Sequence, residues 1–116
     1  MGDLSSNFSK SEFECRCGCG FDEVSLELVE VLQELRDDIN EPITINSACR
    51  CKEWNAEVGG AKRSQHLLGT AADIVVKGCT PAYVHEYLEG KYPDKYGMGK
   101  YKSFIHIDVR KSKARW

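Results

Sequence analysis

The 116-residue sequence has no long apolar run, no excess of basic charge, and no repeated or low-complexity segment. Because a membrane-spanning helix needs about 20 apolar residues, we expect no membrane contact. The formal net charge is −2, and no basic patch is interleaved with aromatic side chains, so we expect no nucleic-acid binding. Residues 1–10 lack the basic and apolar regions of a secretory signal, and we therefore expect the protein to be cytoplasmic at synthesis.

Length and composition fit one domain around one hydrophobic core. The sequence is 41% hydrophobic and 29% charged, which is ordinary for a soluble globular protein. We expect residues 1–12 to be a flexible or peripheral arm, and residues 13–116 to be a single domain that acts as a monomer. The four basic residues between Arg110 and Trp116 are expected in a solvated tail.

Six cysteines are the unusual part of the composition. They fall into a C-x-C-x-C cluster, a C-x-C pair and a single residue: Cys15, Cys17 and Cys19; Cys49 and Cys51; and Cys79. A disulfide framework is uncommon in the cytosol because thiols stay reduced there. The spacing leaves three readings open: burial with occasional pairing, a structural metal site, and a catalytic thiol. C-x-C is a poorer zinc spacing than C-x₂-C, because so short a segment wraps the ion badly.

Apolar spacing predicts short strands alternating with helices. The predicted elements are a helix from 24 to 39, a strand over 43–45, a helix over 52–58, a strand over 71–76, a helix beginning at 80–81, a glycine turn at 97–99, and a last strand over 104–109. The strand over 71–76 is apolar apart from Asp73, which is typical of a central strand. The crossovers are too short for a doubly wound parallel sheet. We predict an α+β fold with a small, mainly antiparallel sheet backed by helices.

His66 and Asp73 are the first candidate functional pair, seven residues apart across a loop that contains Gly69. Imidazole and carboxylate groups are both good zinc ligands. An ionised carboxylate in an apolar strand is costly unless a cation or hydrogen bonds compensate it. The segment therefore indicates a metal site, although Asp73 alone would also suit a turn cap.

The last predicted strand has two different faces, because side chains alternate along a strand. One face is polar and the other aliphatic: His106, Asp108 and Arg110 against Ile105, Ile107 and Val109. Three polar groups on one strand face favour an active-site wall. A lone strand histidine is more often structural, and His85, in a surface helix, is assigned no role.

Segment 64–73 reads S-Q-H-L-L-G-T-A-A-D and is followed by His106 on a strand. This pattern resembles the peptidase M15 family of zinc D-Ala-D-Ala carboxypeptidases and phage endolysins, whose superfamily also contains the hedgehog signalling domain. Segment 47–50, S-A-C-R, resembles the S-x-x-R segment of that family. The likeness covers residues 13–116 and implies a hedgehog/DD-peptidase-like fold.

The resemblance implies one zinc ion held by His66, Asp73 and His106, with water in the open fourth position of a catalytic site. Such zinc lowers the pKa of the water to about 7 and polarises the scissile carbonyl. Arg50 matches the arginine that steadies the substrate, and Ser64 is a candidate substrate hydrogen-bonding group. The implied partner is the stem peptide of bacterial peptidoglycan, cut by a carboxypeptidase or endopeptidase of phage or prophage lysis.

The sequence departs from the family pattern at the general base, because relatives place a Glu three residues, or a His two residues, before the last histidine. Ser103 and Phe104 occupy those positions here. Asp108 is the candidate catalytic base, since it shares a strand face with His106. It would equally orient His106 or pair with Arg110. Glu53 is a weaker candidate base.

Two further readings stay open at this point. The first is a non-catalytic zinc module that recognises a peptide or partner, and the second, least favoured, is a cysteine-based zinc module for nucleic acid. Cys49 and Cys51 flank Arg50 and are expected on the face opposite to it. A link between them and the turn at 15–19 would hold Arg50 in place, either as a disulfide or through a second metal.

Overall fold

The computed structural model describes residues 3–62 and 64–116. Within them the elements are, in chain order, α1 (Lys10–Phe13), α2 (Leu26–Ile39), β1 (Ile43–Ser47), α3 (Lys52–Glu57), a 3-10 helix (Gln65–Leu68), β2 (Ala71–Val76), α4 (Pro81–Lys91), β3 (Gly97–Lys100), β4 (Ile105–Asp108) and β5 (Ala114–Arg115). No helix of these residues is both long enough and apolar enough to cross a membrane.

The five strands form one sheet in the order β1-β2-β4-β3-β5. All neighbouring pairs are antiparallel except β3 and β5, which run parallel. The predicted α+β fold with a mainly antiparallel sheet is confirmed. The register places Ser47 opposite Asp73, Asp73 opposite His106, and His106 opposite Gly99. Two candidate metal ligands therefore lie side by side in the middle of the sheet.

Helix α2 supplies much of the core that supports this sheet. Its start is capped by the Ser25 hydroxyl, which accepts from the Leu28 amide, and its end by Asn40 in the left-handed conformation, at φ 59°. Leu28, Leu32 and Leu35 recur at helical spacing and are fully buried. Burying each leucine contributes roughly 1.5–3 kcal/mol, so this face anchors the helix.

The N-terminal segment is packed against the domain. Phe8 and Phe13 are 1% and 0% exposed, and their ring centroids lie 6.0 Å apart. The Phe13 carbonyl accepts from the Cys49 amide at 2.9 Å. Residues 8–12, expected in a flexible or peripheral arm, are thus connected to the core through buried aromatic side chains.

The C-terminal half differs from expectation in two places. The residues predicted to form a glycine turn at 97–99 lie in β3, and the expected solvated tail forms β5 beside it. A Cβ on Gly97 would lie 2.5 Å from the Asp108 carboxylate, and one on Gly99 would lie 2.4 Å from the Trp116 indole. Glycine is required at both positions by close packing against side chains of the sheet. The two glycines therefore do not mark a turn.

Candidate metal centre

Three donor atoms converge at the centre of the sheet. Asp73 Oδ1 lies 3.3 Å from His66 Nε2 and 3.1 Å from His106 Nδ1. The three residues are buried, at 8%, 2% and 8% exposed respectively. Their ligand atoms all lie within 4.8 Å of one another. The three residues selected from the sequence therefore form a single candidate metal site.

Local structure explains how His66 reaches the sheet. It lies in the 3-10 helix Gln65–Leu68, whose start is capped by the Ser64 hydroxyl accepting from the His66 amide. Gly69 ends that helix at φ 70°, and a Cβ there would lie 2.2 Å from the Glu23 carbonyl oxygen. Only glycine combines this conformation with so close an approach. The tight turn brings His66 back over β2, next to Asp73.

The second nitrogen of each imidazole ring is fixed by an acceptor. His66 Nδ1 lies 2.6 Å from the Ala48 carbonyl oxygen, and His106 Nε2 lies 2.7 Å from Asp108 Oδ2. In the tautomers that carry the proton on those nitrogens, His66 Nε2 and His106 Nδ1 each have a lone pair free to bind a cation beside Asp73 Oδ1. Metal-ligating histidines characteristically carry such a partner on the other nitrogen.

The spacing of the donors fits zinc. Ligands 2.0–2.2 Å from a tetrahedral ion are about 3.3–3.6 Å apart. The observed distances from Asp73 Oδ1 to the two histidine nitrogens, 3.3 and 3.1 Å, are close to that ligand–ligand separation. Two imidazoles and a carboxylate are also the donor types that zinc takes in catalytic sites.

The site carries a negative charge on Asp73. Burial opposes ionisation, yet when no cation is bound, hydrogen bonds from His106 and His66 hold the pKa of Asp73 well below its usual value. Arg50 Nη2 contributes a further contact to Asp73 Oδ2 at 3.1 Å. Burial disfavours charge on His106 too, but Asp108 and Asp73 raise its pKa. A proton and a cation therefore compete for His106 Nδ1.

Asp108 is placed as a partner of His106 and Arg110. Its side chain is 0% exposed and does not line the cavity in front of the three ligands. Oδ2 accepts from His106 Nε2 and Arg110 Nη2, both at 2.7 Å, while Oδ1 accepts from Arg110 Nε at 2.8 Å. These contacts argue against Asp108 as the catalytic base and favour the orienting role. Glu53 is exposed on α3 and is also outside the cavity lining.

A cavity of about 550 Å³ opens in front of the ligands and is lined by both predicted substrate-binding residues, Arg50 and Ser64. Arg50 is held on three sides. Its Nε donates to Ser47 Oγ at 3.1 Å, Nη1 to Asn55 Oδ1 at 3.3 Å, and Nη2 to Asp73 Oδ2 at 3.1 Å. The guanidinium is thus fixed beside the candidate metal ligands.

Asn55 is a residue of the site to which the sequence analysis assigned no role. It is 4% exposed, and its Nδ2 donates to the Ala61 carbonyl at 2.8 Å while its Oδ1 accepts from Arg50. Gly60 leaves the space for this arrangement, because a Cβ there would lie 2.0 Å from Asn55 Oδ1. In the sequence, the adjacent glycines at 59–60 were the feature that could have indicated such close packing.

Trp116 is the second missed residue. Its ring centroid lies 5.0 Å from that of His106, and the Arg110 guanidinium stacks over it at 5.2 Å. Its Nε1 donates to the Tyr101 hydroxyl at 2.8 Å, and Tyr101 stacks on Phe104 with centroids 4.5 Å apart. All these residues line the cavity together with Arg50 and Ser64, and they give it an aromatic wall.

The geometry agrees with a comparison against protein families. The family model described as Peptidase M15 matches residues 6–108. The chain belongs to the peptidase M15 family. The matched range contains the three candidate ligands, Arg50 and Ser64, so a metallopeptidase assignment rests on both the family and the donor set. A search of curated proteins found no significant match to this peptidase M15 chain.

Proposed function

We propose that the protein is a zinc-dependent peptidase that hydrolyses a peptide bond next to a D-amino acid in peptidoglycan stem peptides. The observation that carries the proposal is the set formed by His66, Asp73 and His106, with both histidine rings oriented by acceptors and one side open to a cavity. Three protein ligands beside an open cavity are typical of catalytic rather than structural zinc.

Zinc held by His66 Nε2, Asp73 Oδ1 and His106 Nδ1 would supply Lewis-acid chemistry at the scissile carbonyl and activate water. The protein's part is to keep the ligands rigid and correctly protonated. Ala48 and Asp108 fix the two imidazole tautomers through the 2.6 and 2.7 Å contacts. Asp108 is accordingly proposed to position His106 rather than to take a proton from the attacking water.

Arg50 is proposed to bind the substrate carboxylate or carbonyl. A guanidinium has five N–H donors, and the three contacts to Ser47, Asn55 and Asp73 leave two of them for a ligand in the cavity. Because the side chain is already fixed, little entropy is lost when it binds. The Ser64 hydroxyl accepts from the His66 amide, so its proton remains available to a substrate oxygen.

Peptidoglycan fits the chemistry of the cavity. Stem peptides combine a terminal carboxylate or side-chain carboxylates, which suit Arg50, with small alkyl side chains, which suit the wall of Tyr101, Phe104 and Trp116. A small domain of this kind would reach the cell wall on release, as a phage or prophage lysis protein does.

A second candidate function is supported by the same cavity. Among the described residues that line it, Asp73 is the only carboxylate, and Asp73 is already a candidate ligand. General base catalysis needs a proton acceptor within reach of the attacking water. A zinc module that binds a stem peptide without cutting it is therefore the alternative.

A digest separates the two functions. Purified zinc-loaded protein is incubated with peptidoglycan and with synthetic stem peptides, and new amines and free D-alanine are measured by derivatisation and mass spectrometry. We expect release by wild type, none by His66→Ala, and wild-type release by His85→Ala, which lies outside the site. Binding of stem peptides with no release across the pH range would refute the peptidase and establish the recognition module.

A further inference from the structure

Four thiols from two segments distant in the sequence lie close together, and one of them is next to Arg50 in the chain. Cys15, Cys17 and Cys19 lie in one turn, and Cys51 precedes α3; their sulfur atoms all lie within 4.8 Å of one another. Cys17 Sγ is 3.4 Å from Cys15 Sγ and 3.5 Å from Cys51 Sγ. We infer that these four cysteines bind a structural zinc ion, separate from the ion at the histidines.

The sulfur separations fit a shared ion. Four sulfurs at about 2.3 Å from a tetrahedral zinc are about 3.8 Å apart. A disulfide would bring two sulfurs to about 2.05 Å. The contacts of 3.4 and 3.5 Å are much nearer to the edge of a zinc tetrahedron. Four cysteines with no open position form the closed donor set of a structural site.

The turn explains how a C-x-C-x-C segment surrounds an ion. The Gly18 amide donates to the Cys15 carbonyl at 3.2 Å, and the Cys15 amide donates to the Phe21 carbonyl at 2.8 Å, which closes the turn. Gly18 and Gly20 adopt φ of 84° and 91°, values open to glycine. The reversal lets all three thiols face one point, and Cys51 completes the set from outside the turn.

Backbone amides support the sulfurs as they do in metal–thiolate sites. The Cys51 amide donates to Cys15 Sγ at 3.3 Å, and the Trp54 amide donates to Cys51 Sγ at 3.4 Å. Such outer hydrogen bonds orient ligands and stabilise their charge. Binding is a plain exchange in which the four thiols lose their protons to solvent and form four zinc–sulfur bonds, with no oxidant or reductant.

The other two cysteines do not share this environment. Cys49, expected on the same face as Cys51, is 1% exposed and belongs to the hydrophobic core. Cys79 is half-buried and packs against that core. Only four of the six thiols lie together, and two of those four, Cys17 and Cys19, are exposed. The cluster therefore differs from the ordinary burial of cysteine as a small apolar residue.

The cluster ties the turn to the segment that positions the candidate active site. Cys51 follows Arg50 directly, and the Arg50 amide donates to the His66 carbonyl at 3.0 Å. On the other side of Arg50, the Cys49 amide donates to the Phe13 carbonyl. A zinc ion at the thiols would thus fix the backbone on which Arg50 is presented to Asp73.

Metal content of reduced, full-length protein tests the inference. We expect about two zinc ions per chain in wild type, about one in His66→Ala, and about one in Cys17→Ser/Cys19→Ser, which replaces the two exposed thiols. Cys79→Ser is the matched control and should keep both ions. X-ray absorption of the single zinc in His66→Ala should show sulfur neighbours at about 2.3 Å only.

Two results would overturn it. One is a Cys17→Ser/Cys19→Ser protein that holds as much zinc as wild type. The other is a wild-type zinc spectrum with nitrogen and oxygen neighbours alone, a measurement that needs no variant to fold. A third measurement is the intact mass of protein purified with reductant. A loss of two hydrogens per pair of thiols would show a disulfide in place of the zinc ion and would also refute the inference.

Discussion

Asp108→Asn tests whether Asp108 positions His106 or acts as the base. The carboxylate accepts from His106 Nε2 and Arg110 Nη2 on one oxygen, and from the Arg110 amide and Nε on the other. Whichever way an asparagine is turned, its NH₂ group faces two N–H donors. The two hydrogen bonds to one of the oxygens must therefore be lost, although the size of the side chain is kept.

The magnitude follows from what each contact supports. Removing an outer partner of a ligating histidine costs roughly 10–100-fold in metal affinity, which is about 1.4–2.7 kcal/mol. The loss is of the same order as one charge-assisted hydrogen bond, roughly 1.5–3 kcal/mol. Arg110 is one-third exposed, so water can replace its lost contact.

The assay is a zinc titration against a chelator, followed by stem-peptide hydrolysis at saturating zinc. We expect Asp108→Asn to bind zinc at the histidine site 10–100-fold more weakly and to regain most of its rate when saturated. The control is Glu53→Gln, an exposed carboxylate outside the cavity, which should behave as wild type. Unchanged zinc affinity with a rate that stays low at saturation, and with loss of the acidic limb of the pH profile, would refute the positioning role.

Four further substitutions test substrate binding and packing. Arg50→Lys should lower kcat/KM by about 10²-fold or more with zinc content unchanged, because a single ammonium cannot replace the fixed fork; an unaltered kcat/KM for stem peptides would contradict the assigned contact. Gly60→Ala should destabilise the fold by roughly 1–3 kcal/mol in urea unfolding, since its Cβ meets Asn55 Oδ1 at 2.0 Å. Gly90→Ala, in helix α4 with nothing within 4 Å of the new Cβ, should instead stabilise by roughly 0.5–1 kcal/mol; equal shifts for both would refute the packing argument. Leu35→Ala should cost roughly 2–5 kcal/mol in the same assay, and a cost below 1 kcal/mol would place that face of α2 outside the core.

Local sequence patterns predicted the elements whose signals are carried by their own side chains. Strand β2 has the predicted bounds, 71–76, because all of its residues except Asp73 are apolar. Helix α4 begins where Thr80 and Pro81 mark it, and α2 begins two residues later than its apolar pattern because Ser25 provides the cap. Asp73 was likewise visible as the polar exception in an apolar strand, whereas the grouping of His66, Asp73 and His106 as one ligand set came from the resemblance to the M15 motif.

Features that depend on distant contacts were not visible. The two glycines of strand β3, Gly97 and Gly99, leave space for the side chains of Asp108 and Trp116. No local periodicity in the sequence predicts these contacts. For Asp108 the sequence left a catalytic base and a partner of His106 or Arg110 as alternatives, and what separates them is the position of the cavity, which residues from several distant segments line. Strand β5 and the position of Trp116 arise from parallel pairing with β3, a long-range event that short segments do not encode.

An anomalous-difference map at the zinc edge, from crystals of the zinc-loaded protein, tests the central claim most directly. The account predicts a peak bonded to His66 Nε2, Asp73 Oδ1 and His106 Nδ1 at about 2.0–2.2 Å, facing the cavity of Arg50 and Ser64. Zinc density only at the cysteines, or none within bonding distance of those three atoms, would contradict it.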